Sequence, residues 1–430
     1  MRIEIDPKKE SWNELCERPS IQRDQLEDLV GGILSDVKEN GDEALIRLTA
    51  KFDGSELDSL KVSEQEISKA EAVLSEDLKE AIKLAKQNIE KFHSSQKETV
   101  ERVETVPGVV CWRKNIGIEK VGLYIPGGSA PLFSTILMLG IPANLAGCKE
   151  IVLTTPPDQN GEINPTILYT ASLVGVTQIF KVGGAQAIAA LAFGTESIPQ
   201  TYKIFGPGNQ FVTKAKEMVQ MNGVAIDMPA GPSEVLVIAD ETCDPEFVAA
   251  DLLSQAEHGA DSQVILLTDN ETVLKNVEMA LADQLEKLPR KEVAEKALEF
   301  SRLIKLKDIT ACVKFSNEYA PEHLILASAN AQNWIDGITN AGSVFVGNYS
   351  CESVGDYASG TNHTLPTNGF ARNYSGVSFD SFVRKVTFQQ LDETGIKNIG
   401  PAVELMADAE ALFAHKNAVT LRLKKLSNEN

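Results

Sequence analysis

Gln178-Ile-Phe-Lys-Val182, Gly183-Gly184-Ala185-Gln186 and Ala187-Ile-Ala-Ala-Leu-Ala-Phe193 follow one another without a break. The first segment is short, apolar and closed by a glycine pair, the pattern of a buried strand. The second is a tight turn, and the third, rich in alanine and leucine, reads as a helix. Strand, glycine loop and helix form the repeating unit of a parallel sheet, because parallel neighbours need a crossover that brings the chain back to the same edge. The unit recurs on both sides. Upstream lie a strand over Val121–Ile125, the loop Pro126-Gly127-Gly128, a helix over Ser134–Ala146 with Pro142 as a break or kink, a strand over Glu150–Thr154 and a helix over Pro165–Val174. Downstream, a strand over Thr201–Phe205 leads through Gly206-Pro207-Gly208-Asn209 into a helix ending at Met221.

The rhythm resumes after residue 234. Strands over Val235–Ala239 and Ser262–Leu267 flank a helix ending in Leu252-Leu-Ser-Gln255-Ala-Glu-His258-Gly259. A charged helix over Glu271–Leu288 and late strands over Leu324–Leu326 and Ser343–Val346 follow. The fold class is therefore α/β with parallel sheets, in two halves that meet near residues 230–235. Apolar residues at helical spacing over Asp24–Thr49 and Glu64–Phe92 predict an N-terminal helical region, and Glu404–Lys416 predicts a late helix. The divisions are 1–105, helical; 106–234, a first α/β domain on the dinucleotide side; 235–378, a second α/β domain carrying the polar site; and 379–430, a C-terminal helical arm.

A chain of 430 residues is long enough for two or three domains. Apolar content of 43% and charged content of 24% are those of a folded globular protein. The formal net charge of −20 excludes a general nucleic-acid binder, since phosphates would be repelled. No run of about twenty apolar residues predicts a membrane span, and the start, Met1-Arg2-Ile3-Glu4-Ile5-Asp6, has no signal core. Six scattered cysteines, none in a C-x-x-C pair, fit free thiols in a reducing cytoplasm. Cys111 or Cys148 could instead be the nucleophile of a zinc-independent aldehyde dehydrogenase. A two-lobed small-molecule binding protein without turnover is a further alternative.

Three strand-to-loop junctions carry glycines, ahead of Gly128, Gln186 and Asn209. In open α/β sheets ligands sit at the carboxyl ends of strands, where backbone N–H groups attract phosphate. No G-x-G-x-x-G is present and no acidic ribose ligand can be placed, so from the residues alone these glycines read first as tight turns and only second as a dinucleotide site.

The polar residues are more unusual. Gln255 and His258 are three apart on one helical face and offer an oxygen and a nitrogen to a divalent metal. Ala230-Gly231-Pro232-Ser233-Glu234 puts a hydroxyl before a strand. Glu322 and His323 are adjacent, Asp356 and His363 lie in a Gly/Ser/Asn-rich loop, and Glu410 and His415 lie on the C-terminal helix. Each has a structural alternative: a surface histidine, an exposed pair pointing opposite ways, an Asx turn or helix cap. On one regular helix Glu410 and His415 stand roughly 140° apart, so one face cannot present both. If the residues converge, Gln, His, Asp and His form an N/O donor set suited to Zn2+, and a neighbouring Glu–His pair supplies acid–base chemistry.

These stretches together resemble the histidinol dehydrogenase family: Gly122-Leu-Tyr-Ile-Pro-Gly-Gly128, Gly206-Pro-Gly-Asn209, Asp227-Met-Pro-Ala-Gly-Pro-Ser233-Glu234, Ser254-Gln-Ala-Glu-His258, Ala320-Pro-Glu-His323 and Gly355 to Leu365. The resemblance implies two incomplete Rossmann-like domains of aldehyde-dehydrogenase type with helical additions, and a homodimer that exchanges its C-terminal arm. It implies Gln255, His258, Asp356 and His415 as zinc ligands. Ser233, His323 and Glu410 would touch L-histidinol beside those ligands, and Tyr124, Gln186 and Asn209 would line the NAD+ site. Glu322 and His323 would be catalytic, the first activating water and the second taking the alcohol proton, with His363 in support.

Overall fold

Aliphatic runs buried on both faces become the strands, and the glycine junctions between them become turns into helices. The computed structural model describes residues 1–19, 24–127, 131–229 and 231–428. Gly128 and Ala230, parts of the expected loop and turn, lie outside the described residues. Contacts divide the chain into two units, 1–95 with 118–382 and 96–117 with 383–430.

The first unit holds two parallel sheets. One has five strands in the order Gln178–Lys181, Glu150–Thr155, Lys120–Tyr124, Lys203–Phe205 and Ala225–Ile226. The other has six, in the order Arg2–Ile5, Arg302–Lys305, Gln263–Thr268, Glu234–Ala239, His323–Ala327 and Ser343–Val346. Every residue of Glu234–Ala239, Gln263–Thr268 and His323–Ala327 is buried, because helices cover both faces of a parallel sheet. His323 pairs with Val235 on one side and Ser343 on the other, so Glu234 and His323 stand together at the amino edge of the second sheet. The helix Pro245–Ala256, capped by Asp244 with proline at its first turn, runs back from the carboxyl edge and returns Gln255 to that same amino edge. The short connection 227–233 joins the carboxyl end of Ala225–Ile226 to the amino end of Glu234–Ala239.

Three expected helices differ in detail. Gly41 leaves helical geometry at φ 52°, so Asp24–Phe52 is two helices across a kink. The pattern over Glu64–Phe92 splits where the Ser75 hydroxyl caps a new helix by accepting from Leu78 N. Pro142 does not end the helix Phe133–Leu145. Proline removes the N–H that would bond the carbonyl four residues back, and here the Asn362 side chain donates to Met138 O at 2.7 Å in its place.

The second unit is an antiparallel sheet of Val383–Leu391, Val109–Gly117 and Arg102–Val106 with two helices, Glu393–Ala409 and Phe413–Asn428. Its strands mix charged and apolar residues and include Trp112 stacked on Phe388. The single helix expected over Glu404–Lys416 is broken: Ala411 is left-handed at φ 57°, and Leu412 N donates back to Ala407 O at 2.8 Å. Glu410 caps the first helix and His415 begins the second, so the 140° separation computed for one helix does not apply. Among the described residues no helix is long and apolar enough to cross a membrane.

Candidate active site

The amino edge of the second sheet gathers acids around one imidazole. His323 begins its strand with its side chain buried. Nδ1 lies 3.2 Å from Glu234 O, 3.6 Å from Glu322 Oε2 and 3.7 Å from Glu352 Oε1, while Nε2 is 3.6 Å from Asp356 Oδ1. Glu322, also buried, accepts from Glu234 N at 2.9 Å. The left-handed Ala320, φ 54°, ends the preceding helix and turns the chain toward this edge. The Gln255 amide is satisfied when its nitrogen donates to Glu352 Oε1 at 2.5 Å and its oxygen accepts from Glu234 N at 2.9 Å.

Burial opposes charge on His323, yet Glu352, Glu322 and Asp356 together hold its pKa well above the usual imidazole value. Burial pushes the Glu352 carboxyl well up. Burial pushes Asp356 the same way, but the adjoining His323 ring overcomes it and leaves Asp356 below the ordinary carboxylate value. His323 Nε2, Glu352 Oε2 and Asp356 Oδ1 are buried without a hydrogen-bond partner, an expensive arrangement unless something else binds there. His323, Glu352 and Asp356 each offer a ligand atom within 4.8 Å of the others. Three acids, Glu322, Glu352 and Asp356, face one imidazole, and this set of N and O donors with no thiolate fits a divalent cation such as Zn2+.

Of the residues singled out in the sequence, Gln255, Glu322, His323 and Asp356 come together here. His258 lies one residue beyond the helix cap, exposed, and within electrostatic reach of Asp356. Asp356 is not in a loop but on the last turn of the helix Glu352–Tyr357. Glu322 and His323 are not an exposed pair. Ser233 is half-buried next to Glu234. Glu410 and His415 belong to the other unit, both exposed.

The glycine junctions lie at the carboxyl edge of the first sheet. Tyr124 ends its strand, its hydroxyl accepting from Gly184 N at 3.2 Å, and burial pushes its pKa up to about 12. Gln186 is buried in the first turn of the helix Gly184–Phe193. Asn209 caps Gln210–Gln220, accepting from Phe211 N at 3.1 Å and Val212 N at 3.2 Å. Gly206 has φ 129°, and a Cβ there would stand 2.0 Å from Tyr124 O. Its N–H donates to Asp227 Oδ2 at 2.8 Å and its carbonyl accepts from Lys216 Nζ at 2.9 Å; Lys216 and Asp227 form a buried ion pair. His363 joins the two edges, with Nε2 3.2 Å from Thr135 Oγ1 and Nδ1 2.9 Å from Asp356 O. Burial lowers its pKa, favouring the neutral ring.

Sequence reasoning missed Glu352. Its signal is the four-residue spacing to Asp356, which puts both acids on one helical face, but that relation is invisible while Asp356 is read as loop. The cysteine reading finds no support at Cys148: burial pushes its thiol up to about 12, and it precedes the strand Glu150–Thr155 at the amino end of the first sheet, away from the glycine junctions. Cys111 lies in the antiparallel sheet of the second unit.

The family model of histidinol dehydrogenase matches residues 16–423. The histidinol dehydrogenase of Bacteroides thetaiotaomicron is 58% identical over 426 residues, covering 99% of this chain and 100% of that one. That of Escherichia coli is 54% identical over 423 residues, 98% of this chain and 96% of the other. The crystal structure of histidinol dehydrogenase from Elizabethkingia anophelis matches with a TM-score of 0.97 at 61% identity, covering 99% of each chain.

Proposed function

The chain belongs to the histidinol dehydrogenase family, and from that premise we propose that it oxidises L-histidinol to L-histidine through L-histidinal. In the first step the alcohol loses a hydride to NAD+ and a proton to the protein. In the second, water adds to the aldehyde and the resulting hydrate loses a hydride to a second NAD+, giving the carboxylate, NADH and two protons. The buried, unpartnered Nε2 of His323 is the atom that takes the alcohol proton, and the Glu322 carboxylate draws the proton from water. The ring can act as a base only when the negative charge around it is offset, which is the electrostatic argument for a cation at Asp356. Gln255, His258, Asp356 and His415 would hold Zn2+, which supplies a positive charge to fix and polarise the substrate. Ser233 and Glu410 would complete the substrate contacts. Tyr124, Gln186 and Asn209 would line the NAD+ site, and His363 would keep the two sheet edges in register.

In this reading a homodimer exchanges its C-terminal arm, so that Glu410 and His415 serve the site of a second copy. The compartment proposed is the reducing cytoplasm, in keeping with cysteines that are all free among the described residues. The observation that carries the proposal is the acid cluster around His323, with its three unpartnered buried atoms. The test is the stoichiometry of a limiting amount of L-histidinol. Two NADH formed per histidinol are expected; one, with aldehyde accumulating, or none would contradict the proposal.

A further inference from the structure

One residue's main chain touches three members of the acid cluster. Glu234 N donates to Glu322 Oε2 at 2.9 Å and stands 2.9 Å from the Gln255 oxygen. Glu234 O lies 3.2 Å from His323 Nδ1, which keeps a proton on that nitrogen and leaves Nε2 open. The orientation of all three side chains therefore follows the position of this one residue.

The Glu234 side chain is itself gripped. Arg18, from the N-terminal segment, donates through Nε to Oε1 at 2.6 Å and through Nη2 to Oε2 at 3.0 Å. Asn368 N adds a third bond to Oε1 at 2.8 Å. The same guanidinium donates to Tyr319 O at 2.7 Å and lies 3.9 Å over the Tyr319 ring. Tyr319 ends the helix that leads through Ala320 and Pro321 to Glu322 and His323. Its hydroxyl donates to Gln263 Oε1 at 2.8 Å, and Gln263 in turn donates to Glu17 O at 3.0 Å. Arg18 thus ties together the two chain segments that carry the acid–base pair and the residue that aims it. A planar guanidinium can bond both carboxylate oxygens, reach a carbonyl and stack at once, which an ammonium cannot.

We propose that Arg18, acting through Glu234, is a positioning residue for Glu322, His323 and Gln255. The proposal rests on the histidinol-oxidising reading of the site. Arg18 touches neither the proposed substrate nor the cofactor, so its loss should misplace Glu322 and His323 for reaction, while His258, Asp356, His415, Ser233 and Glu410, which it does not hold, keep most of the proposed metal and substrate contacts. The test uses the whole chain, metal-loaded, assayed well below the unfolding temperature of each variant. Arg18→Ala should lose about tenfold to a hundredfold in kcat for both half-reactions, while KM for histidinol and NAD+ changes by less than about threefold, in line with loss of transition-state stabilisation alone. Added guanidinium should restore part of kcat and ethylammonium should not. Arg18→Lys, which retains charge and stem if the alanine variant fails to fold, should remain impaired in kcat by about tenfold, since one ammonium cannot reproduce the fork. A purely structural role predicts a lower Tm with undiminished kcat for the folded enzyme. Full kcat in Arg18→Lys or Arg18→Ala, or equal rescue by both cations, would overturn the proposal. Absence of histidinol turnover in the unaltered protein would instead overturn the reading on which it rests.

Discussion

The carboxyl edge of the first sheet and the amino edge of the second are built by different means. The first is backbone: glycine turns, a capping asparagine and a tyrosine hydroxyl that accepts from a helix N–H, with a buried charge pair, Lys216 and Asp227, spent on holding the Gly206 turn. The second is side chain: a histidine among three carboxylates, with buried atoms left unpartnered. A backbone edge can seat a ligand by shape and N–H groups and does little acid–base work. An acid-rich edge can move protons, but it must be held in place by residues outside it, here the Glu234 main chain and the Arg18 guanidinium. The rule that ligands sit at carboxyl ends of parallel strands finds the first edge and misses the second.

The contrast is broken most sharply at Glu322. Glu322→Gln should lower aldehyde oxidation by about a hundredfold or more while alcohol oxidation falls much less, because only the second step needs an activated water. Single-turnover rates with histidinol and histidinal measure the split, and equal losses would remove the assigned role.

The first edge should fail through its backbone. Gly206→Ala places a Cβ 2.0 Å from Tyr124 O at φ 129°, and about 3 kcal/mol of stability should be lost. Urea unfolding measures this, and a variant as stable as the parent would show that the turn is not held as described.

Glu352 sharpens the comparison because it acts on another side chain. With its nitrogen turned toward Glu352, the Gln255 amide donates to Oε1 at 2.5 Å and points its oxygen the other way. On the proposal that Gln255 holds Zn2+, Glu352→Met should weaken Zn2+ binding about tenfold to a hundredfold, the usual effect of losing a ligand's supporting partner. Glu352→Gln, which still offers an oxygen, should lose less. Competition with a chelator gives the affinities, and equal affinities for all three proteins would dismiss the role.

The smallest effect belongs to the first edge. Asp53, half-buried after the helix Asp24–Phe52, has its carboxyl pushed up to about 6 from 3.8 by burial. Its folded pKa is raised, so the fold favours the neutral acid. Its contribution is intact below about pH 4 and is lost as pH rises to about 6, remaining lost above. Asp53→Asn should therefore gain on the parent over that window and stay ahead at neutral pH, by about 1 kcal/mol once its partial exposure is discounted. Paired melts from pH 4 to pH 8 read the difference. A gap that does not widen between those pH values would contradict it.

The same contrast sets what could be read from sequence. The longer strands of the two parallel sheets were legible as short apolar runs, and the three glycine junctions of the first sheet because a strand followed by a glycine turn is a local signal, complete within about ten residues; Arg2–Ile5, Arg302–Lys305 and Ala225–Ile226 were missed, being short and, in the first two, part charged. The Gln255–His258 and Glu322–His323 pairs were legible as chemistry, but their meeting with Asp356 depends on strand pairing between His323 and Val235, which no local pattern encodes. Glu352 was hidden by reading Asp356 as loop, and the break at Ala411 by an unbroken apolar rhythm around it. The antiparallel sheet of the second unit escaped because its strands expose many charged residues. Arg18 lies 216 residues from its carboxylate partner, so only the folded chain reveals that pairing.

The most direct measurement is of bound metal together with histidinol-dependent NADH formation, before and after chelation. Stoichiometric divalent metal is expected in the active protein, with turnover that disappears with the metal and returns when Zn2+ is restored. Undiminished turnover in fully metal-free protein would contradict this.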